Sequence, residues 1–193
     1  MEFRPDYPIR TERLALRPFV ETDVEATLDL ESREDVVRHL PWGVMDRAAA
    51  EAQVARRLTQ VAINGDHTAI VLAATIPPDD RMVGEFMLRL ESESHRSGEI
   101  GWTLHPDVQG HGHALEGARE FLRLGFEDLG LHRIMAAADP RNDASTRLME
   151  RLGMQREGVL RHVFFKHGWL DDVIYSILED EWRTDPPGAA ARA

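Results

Sequence analysis

The chain has 193 residues, no cysteine, and 23 Lys and Arg against 34 Asp and Glu, a formal charge of −11. That length suits one globular domain, and the lack of cysteine excludes disulfides, thiolate-bound zinc, iron–sulfur clusters and any thiol nucleophile. The acid excess argues against nonspecific nucleic-acid binding, which needs clustered cations, and is compatible with an amine-bearing partner.

In residues 13–19, Leu14 and Leu16 alternate with Arg13, Ala15 and Arg17, which predicts a short strand stopped by Pro18. Thr22-Asp23-Val24-Glu25 is a capping-box pattern opening a helix that turns Val24, Leu28 and Leu30 inward. A second helical stretch covers residues 34–40 and stops at Pro41. Asp46 caps a third over residues 47–63, with Ala50, Val54, Leu58 and Val61 on one face and Asn64-Gly65 at its end. The period then changes: residues 68–76, 82–91 and 99–104 read as strands of an antiparallel meander. A Gly-rich turn leads into a helix over residues 114–129, whose Leu115, Ala118, Leu122, Phe126 and Leu129 form an apolar face. Residues 132–138 read as a strand and 142–152 as a helix closed by Gly153. Residues 156–166 and 171–178 make a hairpin through His167-Gly168-Trp169-Leu170. The expected fold is α/β (α+β): one domain over residues 1–184, a mixed, mostly antiparallel sheet of about seven strands with helices on both faces, and a flexible tail over 185–193. The longest apolar stretch, residues 68–76, is too short to span a bilayer, and Arg, Asp and Pro interrupt the N-terminus. A cytoplasmic protein with no membrane segment is expected.

The sharpest local signal is Val108-Gln109-Gly110-His111-Gly112-His113-Ala114, between a strand and a long amphipathic helix. Glycines at 110 and 112 let backbone N–H groups approach an anion at a helix N-terminus, as in a diphosphate cradle. The residues alone are equally consistent with a tight turn that starts a helix. No Gly-Lys-Ser/Thr follows, so the loop is not a Walker A motif, and Leu115 stands where a dinucleotide fingerprint has its third glycine. His105, His111 and His113 lack helical i, i+4 spacing, which makes a metal site the minor reading.

Gln109-Gly110-His111-Gly112-His113-Ala114 resembles the Gln/Arg-x-x-Gly-x-Gly/Ala motif of the GCN5-related N-acetyltransferase (GNAT) superfamily, whose loop holds the acetyl-CoA pyrophosphate. The flanking segments GEIGWTLHPDVQGHGHA and LGLHRIMAAADPRNDASTRLMERLGMQREG resemble the RimJ/RimL-type branch, which acetylates protein N-terminal amines and includes relatives acting on small amines. The similarity runs over nearly the whole chain. One residue departs: Lys or Arg is common at the position of His111, so backbone N–H groups must carry more of the phosphate binding, and affinity is expected to rise when that imidazole is protonated.

The resemblance implies acetyl-CoA as cosubstrate, bound by Leu104, Gln109, Gly110, His111, Gly112, His113, Ala114, Asn142 and Ser145, with no metal. It implies two parallel strands that splay apart around the acetyl group, the Leu104 N–H as oxyanion donor and Glu99 as base. The unaided alternative for Glu99 is a solvent-facing strand residue. Asn142 is a good N-cap in its own right; the resemblance adds an Asn-x-x-Ser signature whose Asn142 holds the pantetheine arm and whose Ser145 lies near the sulfur. Met149 occupies the position where many of these enzymes carry a tyrosine acid, which moves the proton-donor role to Ser145. Tyr175 is a weaker candidate and reads more readily as core. Trp42 and Trp169 either wall the acceptor or fill space. With no cysteine, direct attack in a ternary complex is expected. The expected acceptor is a protein N-terminal α-amine, with polyamines, amino acids or aminoglycosides as small-molecule alternatives and a noncatalytic acyl-CoA-binding module as the non-enzymatic one. A homodimer through the C-terminal hairpin is expected.

Overall fold

The computed structural model describes residues 2–184. The proposed tail over 185–193 lies outside the described residues. The elements in chain order are β1 (Ile9–Arg10), β2 (Ala15–Arg17), α1 (Val24–Glu31), α2 (Glu34–Val37), α3 (Arg47–Arg57), β3 (Ala69–Thr75), β4 (Met82–Ser92), β5 (Ser97–Leu104), α4 (His113–Arg123), β6 (Arg133–Ala138), α5 (Asp143–Arg151), β7 (Gln155–Phe165), β8 (Trp169–Leu178) and α6 (Glu179–Thr184). The strands form one 8-stranded sheet in the order β1-β2-β3-β4-β5-β6-β8-β7. The predicted meander is present as β3-β4-β5, antiparallel throughout; β5 and β6 are parallel, and β6-β8-β7 is antiparallel again.

Alternation along the strands divides the core between the two faces of this sheet. Ile70 and Leu72 of β3, Phe86 and Leu88 of β4 and Ile100 of β5 point into a large cluster with Ala118, Phe121 and Leu122 of α4 and Leu148 and Met149 of α5. Val71 and Ala73 turn the other way and pack with Leu30 of α1 and Val54 of α3. β3 is buried on both faces, which is why its sequence is a continuous apolar run with no alternation. α4 lies so close to the sheet that a Cβ at Gly117 would enter the Phe86 ring.

Five local expectations are corrected. The first helix opens through a 3-10 turn, with buried Asp23 accepting from the Val20 N–H at 2.9 Å and pairing with Arg17, so Thr22 is not its cap. α2 is one turn long. α3 stops at Arg57 because β-branched Val61 and Ile63 are drawn into antiparallel bridges with Ile70 and Phe3. The helix after the Gly-rich loop changes at Leu124 to a π-turn closed by Leu129 N–H to the Leu124 carbonyl. The hairpin turn is shorter than expected: Phe165 pairs with Trp169, so Trp169 and Leu170 belong to β8. No helix among the described residues is long and apolar enough to cross a membrane.

Candidate active site

The site begins where β5 and β6 separate. Their pairing covers Ser97↔Arg133, Gly98↔Ile134 and Glu99↔Met135, while β6 stays paired with β8 as far as Ala138↔Val173. Beyond Glu99 the two parallel strands diverge, which opens one edge of β5. The direction of its backbone groups follows from the antiparallel register with β4. His105 N–H bonds the Val83 carbonyl at 2.8 Å, and Leu104 lies opposite Gly84. Hydrogen-bonded and non-bonded pairs alternate, so the polar groups of Leu104 and Trp102 face away from β4 and into the opening. The Leu104 carbonyl is taken by the Gln109 side chain, whose Nε2 donates to it at 2.8 Å. The Leu104 and Trp102 N–H groups remain directed into the gap.

The Gly-rich loop follows directly. Gly110 and Gly112 have φ of 77° and 84°, a conformation that other residues adopt at a cost, and a Cβ at Gly110 would meet nothing within 4 Å. Among the described residues, the N–H groups of Gly110 through Leu115 carry no intramolecular hydrogen bond; the helical ladder starts with Glu116 N–H to the Gly112 carbonyl. A row of free donors at the N-terminus of an 11-residue helix is the chemistry that a diphosphate requires. These donors edge a cavity of about 350 Å³ lined by Leu104, Gln109, Gly110, Gly112, His113 and Ala114, together with Trp102, Leu148, Arg147 and Arg151. The residues present therefore fit a CoA-type ligand.

The His111 side chain does not line this cavity. It is exposed and stacks on His113, with ring centroids 6.0 Å apart. Positive charge comes from elsewhere. Arg147 and Arg151 sit one turn apart on α5 and face the cavity, a helical spacing present in the sequence but not tied to the loop by any local motif. Arg13 Nη1 donates to the His111 carbonyl at 2.6 Å, while its Nε pairs with Glu116 Oε2 at 2.7 Å. The Arg13 backbone N–H and the Thr11 hydroxyl also donate to Glu116. The loop is thus braced from the turn between β1 and β2, a partnership that no local pattern announces. No group of three or more His, Cys, Asp or Glu among the described residues is arranged to hold a metal ion.

Asn142 caps α5, its Oδ1 accepting from the Ser145 N–H at 3.2 Å. Asn142 and Ser145 are partly buried at the C-terminal end of β6, beside the cavity and outside its lining. Tyr175 is core: it is 4% exposed and its hydroxyl donates to Glu150 Oε1 at 3.1 Å. Met149 is fully buried. Trp42 donates its Nε1 to Glu31 Oε2 at 2.9 Å.

Glu99 sits at the closed end of the divergence, paired with Arg89 directly opposite on β4. Burial pushes its carboxyl up from the ordinary value against the pull of Arg89, and Glu91 and Asp172 reinforce the rise. It is five residues from Leu104, about 17 Å along an extended strand at about 3.4 Å per residue, so the two do not touch one group directly. A second carboxylate stands nearer the mouth. Asp172 of β8 is one register step beyond the last β6 pair and therefore opposite Asp139. Its carboxyl is also pushed up, first by burial and then by Asp139, and it makes no hydrogen bond or ion pair among the described residues. Asp139 itself is buried and held down to about 2 by the Arg141 guanidinium; the His39 ring nitrogen lies 3.4 Å away. Nothing in the local sequence singled out Asp172, because its neighbourhood is set by strand order.

On this side of the sheet a second cavity, of about 530 Å³, lies between α2 with its following loop and the β7–β8 turn. Trp169 is in its lining and Trp42 is not. Lys166 ties its two walls together, donating from Nζ to the Val37 carbonyl at 2.8 Å and the Leu40 carbonyl at 3.3 Å.

Comparison with known proteins agrees with this architecture. Residues 13–155 match the family described as Acetyltransferase (GNAT) domain. The uncharacterized N-acetyltransferase YnaD of Bacillus subtilis is 34% identical over 175 residues, 90% of this chain and 98% of that protein. A GNAT-family acetyltransferase structure from Bacillus anthracis superposes with a TM-score of 0.77 at 31% identity, covering 89% of this chain and 98% of that one. A spermidine N-acetyltransferase from Vibrio cholerae, solved with CoA and spermine, shares the fold with a TM-score of 0.75 at 21% identity, over 90% and 99% of the two chains. The chain belongs to the GNAT acetyltransferase family and is an acetyl-CoA-dependent N-acetyltransferase.

Proposed function

We propose that the protein transfers an acetyl group from acetyl-CoA to a primary amine by direct attack in a ternary complex, with the thioester between β5 and β6 and the amine arriving from the α2 side. The observation that carries this reading is the aim of the Leu104 and Trp102 N–H groups into the opening between the strands. Donors fixed there stabilise the oxygen that gains charge when the thioester carbonyl is attacked, and they need no reorganisation to do so.

The amine arrives largely as an ammonium ion and must lose a proton before its lone pair can attack. Glu99 and Asp172 are the carboxylates available, both raised by burial toward useful basicity. The new C–N bond forms as the C–S bond breaks. Ser145 donates its hydroxyl proton to the departing thiolate and regains one from solvent, so that the ammonium and acetyl-CoA become the acetamide, CoA thiol and one released proton. Gly110 to Leu115 hold the diphosphate by their N–H groups, helped by Arg147 and Arg151, and Asn142 places the pantetheine arm.

The RimJ/RimL-type resemblance supports a protein N-terminal α-amine as acceptor; the second cavity, of about 530 Å³, supports a small amine, and the transfer chemistry is the same for both. Incubating the protein with acetyl-CoA and a panel of N-terminal peptides, amino acids and polyamines, while following free CoA and the acetylated product, tests the reading. Acetyl transfer to at least one amine is expected. Tight acetyl-CoA binding without turnover on any amine would leave a noncatalytic acyl-CoA-binding module.

A further inference from the structure

The second cavity carries charge opposite to that of the chain as a whole. Arg38, Arg141 and Lys166 line it against the single carboxylate of Glu34. Arg141 is committed to Asp139, and Lys166 reaches backbone carbonyls that leave its charge uncompensated. Arg38 is exposed, and its guanidinium makes no ion pair or hydrogen bond among the described residues. Trp169, 59% exposed, adds an apolar wall at the mouth. Three cations and one carboxylate thus line a cavity of a size suited to a small ligand.

Further carboxylates lie beyond the inner wall of this cavity rather than in its lining. Leu170 lines it, and Asp172 lies two residues further along β8 on the same face of the sheet, about 7 Å inward. Asp172 makes no ion pair among the described residues, the carboxylates of Asp139, paired with Arg141, and Glu99, paired with Arg89, lie in its surroundings, and its register places it at the mouth of the β5–β6 opening. An ammonium group placed there would meet Asp172 as the unpaired carboxylate and then lie beside the thioester. A polyamine would satisfy the inner end but would put its second cation against Arg38 and Lys166.

We infer that the acceptor is a zwitterionic small amine, held with its amine at Asp172 and its acidic group, a carboxylate or a phosphate, at Arg38 and Lys166. This rests on the acetyltransferase reading and names its substrate class. Arg38 and Asp172 then divide the acceptor between them: Arg38 selects for the acid group, and Asp172 receives the ammonium and orients it.

The test compares matched amines that differ only in the distal group, with the protein saturated in acetyl-CoA: α- and ω-amino acids, aminoalkyl phosphates, their uncharged amides or alcohols, and diamines of equal length. Acid-bearing amines are expected to have the lowest KM, and the carboxylate and phosphate series show which anion the site takes. Arg38→Glu should raise their KM by about tenfold or more, lower that of the diamines, and leave acetyl-CoA affinity unchanged by calorimetry. Arg38→Gln should raise KM for acid-bearing amines without improving diamines. Diamines or N-terminal peptides preferred by the wild type, with Arg38→Glu indifferent to charge, would overturn the inference and leave the acetyltransferase reading standing. Acetyl-CoA bound but transferred neither to any of these amines nor to N-terminal peptides would remove both.

Discussion

Arg13 donates to the His111 carbonyl across 98 residues of chain, and its other edge is fixed by Glu116. A cation from the β1–β2 turn thus holds the loop's shape while the loop's own N–H groups stay free. Arg13→Ala is therefore expected to weaken acetyl-CoA binding by roughly tenfold, the scale of one lost charge-assisted hydrogen bond, with a smaller effect on kcat. Glu116→Gln should reproduce part of that loss. Calorimetric titration with CoA checks both; unchanged affinity in Arg13→Ala would show that the loop holds its shape unaided.

Gly117 is the point at which α4 touches the sheet. A methyl group there would overlap the buried Phe86 ring, so Gly117→Ala should cost about 1–3 kcal/mol despite the better helix propensity of alanine. Pairing it with Phe86→Leu should return part of the loss, because the two changes act on one contact. Thermal melts of the four members of the cycle decide it, and simple additivity would mean that the helix moves away at no cost.

Glu31 is 1% exposed, and its Oε1 has no hydrogen-bond partner. Burial pushes its carboxyl up from the ordinary 4.5, opposed by the Trp42 hydrogen bond and reinforced by Glu85. The folded state therefore keeps this proton at a pH where the unfolded chain has released it. Its contribution to stability is complete below about pH 4.5 and is lost as pH rises through the folded value. Glu31→Gln should then be the more stable protein at pH 7 by about 1 kcal/mol, or roughly 2–4 °C in Tm, with the advantage gone near pH 4. An equal difference at both pH values would assign the effect to packing.

Ser145→Ala is expected to lower kcat more than acetyl-CoA affinity, since the hydroxyl is needed as the thiolate leaves and the Asn142 cap uses the Ser145 backbone N–H, which alanine retains. For the base, a carboxyl raised by burial shifts the acidic limb of the kcat/KM profile upward from the ordinary carboxylate range. Loss of that limb in Glu99→Gln or in Asp172→Asn identifies which one titrates. An unaltered profile in both would give the proton to water.

The parts of this molecule legible in its sequence are those set by near neighbours. The Gly110–Gly112 loop, the Asn142 cap and the β3-β4-β5 meander each announce themselves within a few residues, and the shared Leu104–Ala114 cavity follows from them. What stayed hidden depends on strand order. Asp172 meets Asp139 only because β8 inserts between β6 and β7, and Arg13 reaches the loop from the turn between β1 and β2. Val61 and Ile63 continued a helical period in the sequence, and bridge pairing to Ile70 and Phe3 outweighed it. The sequence predicts that His111 strengthens phosphate binding when protonated, whereas the structure leaves that side chain exposed outside the cavity and supplies Arg147 and Arg151 from α5.

The central claim is that acetyl passes straight from CoA to the amine within one complex. Initial velocities measured over a grid of acetyl-CoA and acceptor concentrations test it most directly. Intersecting double-reciprocal lines, with no acetyl group retained on the protein after acetyl-CoA alone, are the expected result. Parallel lines together with a covalently acetylated protein would contradict it.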